Sequence, residues 1–409
     1  MINILCAADI HLGKQVGQSG QTSSPVVAAW EKLIDACLDL DIDLLILAGD
    51  LIDRNGLFIE MHSLLRKGLH RLAAKRIPVV AVAGNHDAEA LAAFNRALGV
   101  STLSVLGADG KWQRISLNIK GRAVHIDGIS FVSGQMRDNP LANQVWKKEE
   151  ILLGVLHADV DVPKSPYAPV KSSDFYGLPH HAWILGHVHI PKQIHAAKPW
   201  VHYCGSLQGL DISETGSHGA WKLTIDLDGH VTSEHIPLAY LQWEQITLDL
   251  TGMSQVDWEQ QLLNQMESAM AKRALSHIEQ MGVRLRFEGI TEAYPVLREQ
   301  ISRLSEQADP AFFAHGRWIP YFIESIQNET RPLLDLNTLA KGPHIAAALA
   351  RHLLDLPVNA TALREHLEMR WRAESHLKQC PHELIELSDE ELLAIYQRQG
   401  YALLDELLK

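Results

Sequence analysis

Short apolar runs alternate with amphipathic stretches through residues 1–240 of the chain. A short apolar run is typical of a buried strand, and apolar residues at helical spacing are typical of a helix packed on a sheet. The predicted strands are residues 3–8, 43–48, 78–83, 151–156 and 182–185. This alternation of strands and helices predicts a layered α/β domain.

Two amphipathic stretches, residues 25–40 and 64–74, are predicted to be helices. Residues 221–225 and 230–236 flank an Asp228-Gly229 turn signal and are predicted to form a hairpin that ends the domain. One face of the first helix is predicted to be buried, because apolar residues recur on it at helical spacing. These residues are Val26, Trp30, Leu33, Ile34 and Cys37.

The pattern changes at residue 241. Strand-like segments at 243–250, 283–289 and 321–330 alternate with helical stretches that begin at Ser254 and Glu292. Ser254 with an acidic residue three positions later is close to a capping box, which marks a helix start. The order predicts a small α+β module over residues 241–330. Within it, Arg284 and Arg286 lie on one face of a strand, and either solvation or contact with DNA fits them.

Residues 331–409 are predicted to be a linker followed by a helical C-terminal tail. Helices are expected at 345–354 and 363–377, and Ser388 with Glu391 forms a capping box for a last helix. That helix carries an apolar stripe, which is either core of the tail or a surface for a partner. The stripe consists of Leu392, Leu393, Tyr396, Leu403, Leu404, Leu407 and Leu408.

Polar side chains follow each of the five predicted strands of the N-terminal domain. Because ligands bind at the carboxyl ends of strands in α/β sheets, these residues predict one shared site. In an extended segment, residues two apart project to the same side, so His187 and His189 can reach one cluster. The five groups are Asp9 and His11, Asp50 and Asp53, Gly84 to Asp87, His157 and Asp159, and His187 and His189.

The motifs D-x-H, G-D-x-x-D, G-N-H-D, H and G-H-x-H resemble those of the calcineurin-like metallophosphoesterase family over residues 1–190. The resemblance implies a layered metallophosphoesterase sandwich that holds two divalent ions. It implies that Asp9, His11, Asp50 and His189 hold one ion, and that Asp50, Asn85, His157 and His187 hold the other.

The chemistry of these residue types agrees with that resemblance. Carboxylate, amide and imidazole ligands suit Mn²⁺ or Fe²⁺, and we expect Mn²⁺. Two neighbouring ions favour hydrolysis at phosphorus. His86 is then expected to protonate the leaving oxygen, Asp87 to orient His86 or a ligand, and Gly84 to permit the turn.

Residues 201–229 resemble the segment after the last ligands in bacterial DNA repair exonucleases of the SbcD and YhaO type. The resemblance implies a DNA nuclease in repair, a 3′-to-5′ exonuclease with endonuclease activity left open. It also implies an ATPase partner of the SbcC or YhaN type and a capping domain at 241–330, and it leaves a homodimer open. Two alternatives are a small-molecule phosphodiesterase or phosphatase, and a non-catalytic structural subunit of an ATPase complex.

Three positions depart from that resemblance. Asp53 stands where archaeal relatives carry a histidine, Leu207 where proline is usual, and Leu210 where a basic residue is expected. Any contact that these positions make with DNA in the related nucleases therefore cannot be assumed for this chain. Histidines outside the motifs are predicted to be structural or exposed; they include His180, His181 and His202.

Composition bears on the number of domains, the location of the protein and the way in which it could contact DNA. The 409 residues are 46% hydrophobic and 21% charged, which predicts several globular domains. Residues 1–6 are apolar but lack a basic flank, which predicts a buried strand of a cytoplasmic protein with no membrane partner. Four widely spaced cysteines are predicted to be buried thiols. The net charge of −12 argues against a broad basic face, so contact with DNA must rest on local groups, a partner or bound cations.

Overall fold

The computed structural model describes residues 1–17, 24–54, 58–98, 102–252, 257–271, 278–292, 294–304, 311–314, 317–356, 363–365 and 388–408. The chain divides into two compact units. The first contains Met1–Glu244, Ala274–Val283 and Ala311–Glu324, and the second contains Gln245–Arg273, Arg284–Pro310 and Ser325–Lys409. The predicted domain boundaries at residues 240 and 330 stay a prediction.

The N-terminal part of the chain alternates strands and helices. Its strands are β1 (Ile2–Ala7), β2 (Leu44–Ala48), β3 (Val79–Val82), β4 (Leu103–Val105), β5 (Gln113–Ile119), β6 (Arg122–Gly128), β7 (Ile151–His157), β8 (Ala182–Gly186), β9 (Lys192–His195), β10 (Trp200–Tyr203), β11 (Gly219–Ile225) and β12 (Val231–Pro237). Its helices are α1 (Pro25–Asp39), α2 (Phe58–Ala74) and α3 (Leu91–Leu98), with a 3₁₀ turn at Ser172–Phe175. The five predicted strands, the two helices and the hairpin are confirmed, although α2 begins at Phe58 and not at residue 64.

These strands form two six-stranded sheets. The first has the order β12-β11-β1-β2-β3-β4, in which β1 to β4 are parallel. The second has the order β5-β6-β7-β8-β10-β9, in which β6, β7, β8 and β10 are parallel. Parallel pairing aligns the carboxyl ends of neighbouring strands, so the residues that follow β1, β2 and β3 lie side by side, as do those at the ends of β7 and β8.

The core lies in layers, which explains why the strands read as continuous apolar runs. Ile4 of β1 packs in a cluster with Leu153 and Ile184, so this core lies between the two sheets. Leu5, on the opposite face of β1, packs in a second cluster with Trp30 of α1. The predicted buried face of α1 is therefore confirmed, and a fully buried large side chain such as Trp30 contributes about 1.5–3 kcal/mol.

Several strands were not among the predicted ones. Edge strand β5 alternates exposed and half-buried residues, and its sequence, QRISLNI, is largely polar. Strand β4 has only three residues, and β9 is polar and partly exposed. Strand β5 exposes one face, so it lacks the apolar run that identifies strands buried on both faces. Strands β6 and β10 are interior strands that were also not predicted, because polar or charged residues interrupt their apolar runs.

The C-terminal part contains strands β13 (Leu241–Asp249), β14 (Gln280–Glu288), β15 (Ile290–Thr291), β16 (Ala311–Ala314), β17 (Arg317–Asn328) and β18 (Arg331–Pro332). Its helices are α4 (Asp257–Ala271), α5 (Tyr294–Ser302), α6 (Leu336–Leu339), α7 (Ile345–Asp355) and α8 (Asp389–Leu407). The sheet orders are β13-β14-β17-β16 and β15-β18. The predicted order of strand, helix, strand, helix, strand is present as β13, α4, β14, α5 and β17.

The two arginines of β14 have protein partners. Arg284 Nε donates to Ser325 Oγ at 2.9 Å, and Arg286 pairs with Glu329 at 2.7 Å. Arg286 is exposed, so its ion pair contributes about 0–1 kcal/mol. Both arginines therefore have partners within the chain, and their solvation or contact with DNA stays a prediction.

The last helix begins as predicted. Ser388 Oγ accepts from the Glu391 N–H at 3.2 Å, and Glu391 accepts from the Ser388 N–H at 2.7 Å, which completes the capping box. The apolar stripe divides into buried and exposed parts. Leu392 and Leu404 are buried, whereas Leu403, Leu407 and Leu408 are exposed. Most of the predicted helix at 363–377 lies outside the described residues.

The remaining sequence expectations concern cysteines and membranes. Cys6, Cys37 and Cys204 are buried free thiols, as predicted, and Cys380 lies outside the described residues. Among the described helices, none combines the length and the apolar character needed to cross a bilayer.

One buried histidine links folding stability to pH. His202 on β10 is 3% exposed and stacks on Trp200 with ring centroids 4.8 Å apart. Burial lowers the pKa of its imidazole from 6.5 to about 4. Because the unfolded chain binds this proton more readily, the stability is present at neutral pH and is lost as the pH falls from 6.5 towards 4.

We expect His202→Phe to remove this dependence while keeping an aromatic ring against Trp200. The free energy of unfolding lost between pH 7 and pH 5 should be smaller in the variant by about 2 kcal/mol. Urea denaturation at the two pH values measures it. Equal losses in the variant and the wild type would show that His202 does not titrate in this range.

Candidate metal centre

The predicted site residues meet at the carboxyl ends of β1, β2, β3, β7 and β8. Parallel registers such as Ile4 with Leu44 bring the strand ends level. Most of the side chains are buried, and three of the histidines are only half-buried. Together they are Asp9 and His11 after β1, Asp50 after β2, Asn85, His86 and Asp87 after β3, His157 at the end of β7, and His187 and His189 after β8.

The backbone is strained where the predicted ligands leave the strands. Asp9, His11 and Asp50 have φ values of 50°, 51° and 50°, and His187 has 99°. Side chains other than glycine rarely adopt this left-handed region, and each instance costs about 1–3 kcal/mol. Such strain persists where the surroundings impose it, and it is common at functional sites.

Gly84 serves a different purpose from the predicted one. Its φ is not in the left-handed region, so the turn itself does not require glycine. A Cβ at this position would lie 2.2 Å from Asp50 Oδ1. Glycine is therefore needed because the turn after β3 closely approaches the Asp50 carboxylate.

The first ligand cluster contains Asp9, His11 and His189, whose ligand atoms all lie within 4.8 Å of one another. Nε2 of His11 and Nε2 of His189 are 3.3 Å apart. Both carboxylate oxygens of Asp9 accept from the His187 N–H, at 3.0 and 3.1 Å. These contacts join the end of β1 to the end of β8.

The second cluster forms around the side chain of Asn85. Its Oδ1 lies 3.1 Å from His157 Nε2 and 3.2 Å from His187 Nδ1. Asp50 Oδ2 lies 3.4 Å from His157 Nε2 and 3.7 Å from His11 Nε2. Asp50 thus lies between the two clusters, in the position that a bridging ligand requires.

The donor atoms fit a bound cation. His157 Nδ1 donates to the Ala48 carbonyl at 3.0 Å, so in the neutral ring Nε2 carries a lone pair. That lone pair faces two oxygen acceptors, from Asn85 and Asp50. Burial alone would lower the pKa of His157, but Asp50 and these contacts raise it to about 9. The pocket therefore stabilises positive charge at Nε2. Either a proton or a divalent ion bound at Nε2 can provide that charge.

His86 lies beside the clusters with its side chain 35% exposed. Its backbone N–H donates to Asp50 Oδ1 at 2.8 Å. Its Nδ1 is 3.5 Å from Asp53 Oδ2, and burial lowers the pKa of the imidazole below 6.5. The backbone of His86 thus holds Asp50, while its ring is accessible to a substrate.

Asp87 contacts backbone groups of two loops. Its Oδ1 accepts from the Gly84 N–H at 2.8 Å, and its Oδ2 accepts from the Leu51 N–H at 2.8 Å. Burial, followed by the charge of Asp50, raises the pKa of Asp87 to about 7. These bonds tie the turn after β3 to the loop that carries Asp50. Its predicted action on His86 or a ligand stays a prediction.

Two carboxylates contact predicted ligand histidines: Asp159, which the sequence already places at the site, and Glu214, which it does not. Glu214 Oε1 accepts from His189 Nδ1 at 2.6 Å, and Asp159 Oδ1 lies 3.3 Å from His187 Nε2. Carboxylates that bind the second nitrogen of a ligand histidine fix its orientation. Asp159 can be found from the sequence because it directly follows a predicted strand. Glu214 is separated from His189 by a loop and belongs to no motif.

Comparison with known proteins adds the family. Residues 2–191 match the calcineurin-like phosphoesterase family, and residues 243–331 match the middle domain of metallophosphoesterase YhaO. The uncharacterized metallophosphoesterase YhaO of Bacillus subtilis is 24% identical over 61% of this chain and 64% of its own length. The DNA double-strand break repair protein Mre11 of Methanopyrus kandleri is 24% identical over 62% of this chain and 60% of its own length.

A solved structure, a dimetal phosphatase from Danio rerio, covers 58% of this chain and 99% of its own with 12% identity. Its TM-score is 0.35. The chain spans less than two thirds of the length of the curated relatives above. Residues 2–191 are a calcineurin-like metallophosphoesterase domain, in a chain homologous to YhaO and to Mre11-type nucleases.

Proposed function

We propose that the chain is a two-metal-dependent DNA nuclease that degrades DNA ends 3′ to 5′ in repair, in the cytoplasm. The observation that carries the proposal is the position of Asp50, which lies within 3.4 and 3.7 Å of one imidazole nitrogen from each ligand cluster. Homology to proteins named for double-strand break repair supports DNA as the substrate.

The residues divide into ligands and a proton donor. Asp9, His11 and His189 would hold one ion, Asn85, His157 and His187 the other, and Asp50 both. The oxygen and imidazole donors suit Mn²⁺. When bound, two such ions stabilise the attacking and leaving oxygens of an in-line displacement at phosphorus.

His86 is the best placed group to act on the leaving oxygen. Its ring is accessible, and the metal ligands around it have other contacts. The charge of Asp53, whose Oδ2 lies 3.5 Å from His86 Nδ1, favours the doubly protonated ring, which is the form that can donate a proton from Nε2. A positioned donor of this kind typically contributes about 10²–10⁴-fold to the rate.

The net charge of −12 leads to an expectation about DNA affinity. Each phosphate neutralised by Lys or Arg releases counterions, so the slope of log K against log salt counts these contacts. We expect weak binding by the isolated chain and a shallow slope, measured by fluorescence anisotropy with labelled duplex at several salt concentrations. Tight binding with a steep slope would reveal a basic groove and contradict the expectation.

The negative net charge also favours a second candidate, a phosphodiesterase or phosphatase that acts on small molecules. Such a substrate needs no extended basic surface, and the same ligand set would serve it. Both candidates predict metal-dependent hydrolysis, so substrate choice separates them.

The test incubates the purified chain with end-labelled duplex DNA and, separately, with nucleotide monoesters, in Mn²⁺ and in Mg²⁺. Shortening of the DNA in Mn²⁺ supports the nuclease. Release of phosphate from the monoesters with intact DNA contradicts it and supports the second candidate. Comparison of a substrate labelled at the 3′ end with one labelled at the 5′ end shows the direction of degradation.

We also propose an ATPase partner of the SbcC or YhaN type, docked on the exposed face of α8. Leu403 and Leu407 are 48% and 42% exposed there, whereas Leu404 is buried. Truncation after Pro381 would remove Leu404 as well, so substitution is the sharper test. Leu403→Asp with Leu407→Asp should abolish co-purification with such an ATPase and spare cleavage of short DNA. Full recovery of the partner would contradict the docking.

A further inference from the structure

Glu214 lies in the loop between β10 and β11, beside the metal centre, with its side chain 8% exposed. Its Oε1 accepts a 2.6 Å hydrogen bond from His189 Nδ1. Its Oε2 accepts bonds of 2.9 Å from Ser206 Oγ and from the Leu210 N–H. A buried carboxylate is stable only when such bonds satisfy it, so these contacts determine its position.

The contact with Glu214 determines which nitrogen of His189 carries the proton. Glu214 Oε2 already accepts two hydrogen bonds, so Oε1 accepts from His189, whose Nδ1 therefore carries the proton. In the neutral ring, Nε2 then carries a lone pair directed at His11 Nε2, 3.3 Å away. This lone pair can accept a hydrogen bond from His11 Nε2 or bind a cation held between the two rings.

The position of Glu214 is enforced by a second buried histidine. His218, which is 2% exposed, places Nε2 3.0 Å from the Glu214 carbonyl oxygen and Nδ1 2.9 Å from Ser206 Oγ. Ser206 is fully buried and bonds the Glu214 side chain itself. Both the backbone and the side chain of Glu214 are therefore held.

The loop is also fixed to β13. The Leu241 N–H donates to Gln208 Oε1 at 3.0 Å, and Trp243 Nε1 donates to the Gly209 carbonyl at 2.9 Å. Gln208, Leu241 and Trp243 are all buried. A continuous set of buried hydrogen bonds thus runs from β13 through the loop to His189.

We propose that Glu214 is a positioning residue of the metal centre, which holds the His189 imidazole with Nε2 towards the ion and makes residues 205–218 part of the site. The proposal rests on His189 being a ligand in the proposed function. Loss of such a carboxylate partner typically lowers metal affinity or activity about 10–100-fold.

The test measures Mn²⁺ binding to the full chain by isothermal titration calorimetry. We expect Glu214→Ala to bind one of the two ions about 10–100-fold more weakly. Glu214→Gln should fall between this variant and the wild type, because its amide oxygen still accepts from Nδ1. Glu234→Gln, at an exposed glutamate of β12, is the matched control and should bind as the wild type does.

Melting temperatures of the metal-free variants separate positioning from a structural role. A structural role lowers the melting temperature of the metal-free Glu214→Gln chain and leaves its Mn²⁺ affinity unchanged, which would overturn the proposal. Wild-type affinities in Glu214→Ala would also overturn it. If Glu214→Ala fails to fold, the Glu214→Gln chain is sufficient for the test: a stable chain that binds Mn²⁺ more weakly than the wild type supports the proposal. The test of Glu214 measures metal binding and does not depend on cleavage. DNA that stays intact in the nuclease assay would therefore contradict the proposed function, but not the positioning role of Glu214.

Discussion

Replacing Asp50 by alanine is expected to empty both metal sites and to lower cleavage by more than about 10³-fold, because loss of a single electrostatic contact in a catalytic site already costs about 10²–10³-fold. Asp50 lies within reach of a ligand from each cluster, through His157 and His11. Its pKa favours this role: burial alone would raise it, but these histidines hold it well below its ordinary value. It is therefore ionised and available to two cations at neutral pH.

Metal content by inductively coupled plasma mass spectrometry and cleavage of labelled DNA measure the effect of Asp50→Ala together. Asp35→Asn is the matched control, because Asp35 is an exposed carboxylate paired with Arg71 on the helices. Its ion pair contributes about 0–1 kcal/mol, so both readouts should match the wild type. An Asp50→Ala chain that keeps both ions would contradict the bridging position.

Replacing His86 by alanine is expected to keep both metals and to lower the cleavage rate by about 10²–10⁴-fold, the usual contribution of a general acid. The metals should stay because Asp50 bonds the backbone N–H of His86, which the substitution leaves in place. What the variant loses is the accessible ring beside the clusters. Single-turnover cleavage of labelled DNA, with metal content on the same samples, gives both quantities.

The control for His86→Ala is His70→Ala, at an exposed histidine of α2. It removes an imidazole of the same size away from the site, and its rate should equal that of the wild type. A His86→Ala chain that lacks one ion would show that His86 is a ligand. A rate within a few fold of the wild type would show that another group assists the leaving oxygen.

The strand ends could be predicted from the sequence because two local signals coincide there. Central strands such as β2 are buried on both faces and read as unbroken apolar runs. The residue after each run, Asp50 among them, is a polar side chain of a metal-binding type. Parallel pairing explains why the groups after β1, β2 and β3 lie together and why those of β7 and β8 lie together, and the packing of the two sheets joins the two sets.

The partners of the ligands could not be predicted in the same way. Glu214 reaches His189 across a loop whose path depends on buried bonds from Gln208 and Trp243. No spacing in the sequence marks such a contact, because it forms only when β13 packs on the loop. The same reason applies to Gly84, which is required by the approach of Asp50 rather than by its own turn.

The most direct test of the two-metal centre is a crystal structure of the Mn²⁺-loaded chain with anomalous diffraction data collected at the manganese edge. We expect two anomalous peaks about 3.5–4 Å apart, with the Asp50 carboxylate between them. We further expect His11 and His189 on one peak, and Asn85 and His157 on the other. A single peak, or two peaks of which Asp50 touches neither, would contradict the two-metal centre.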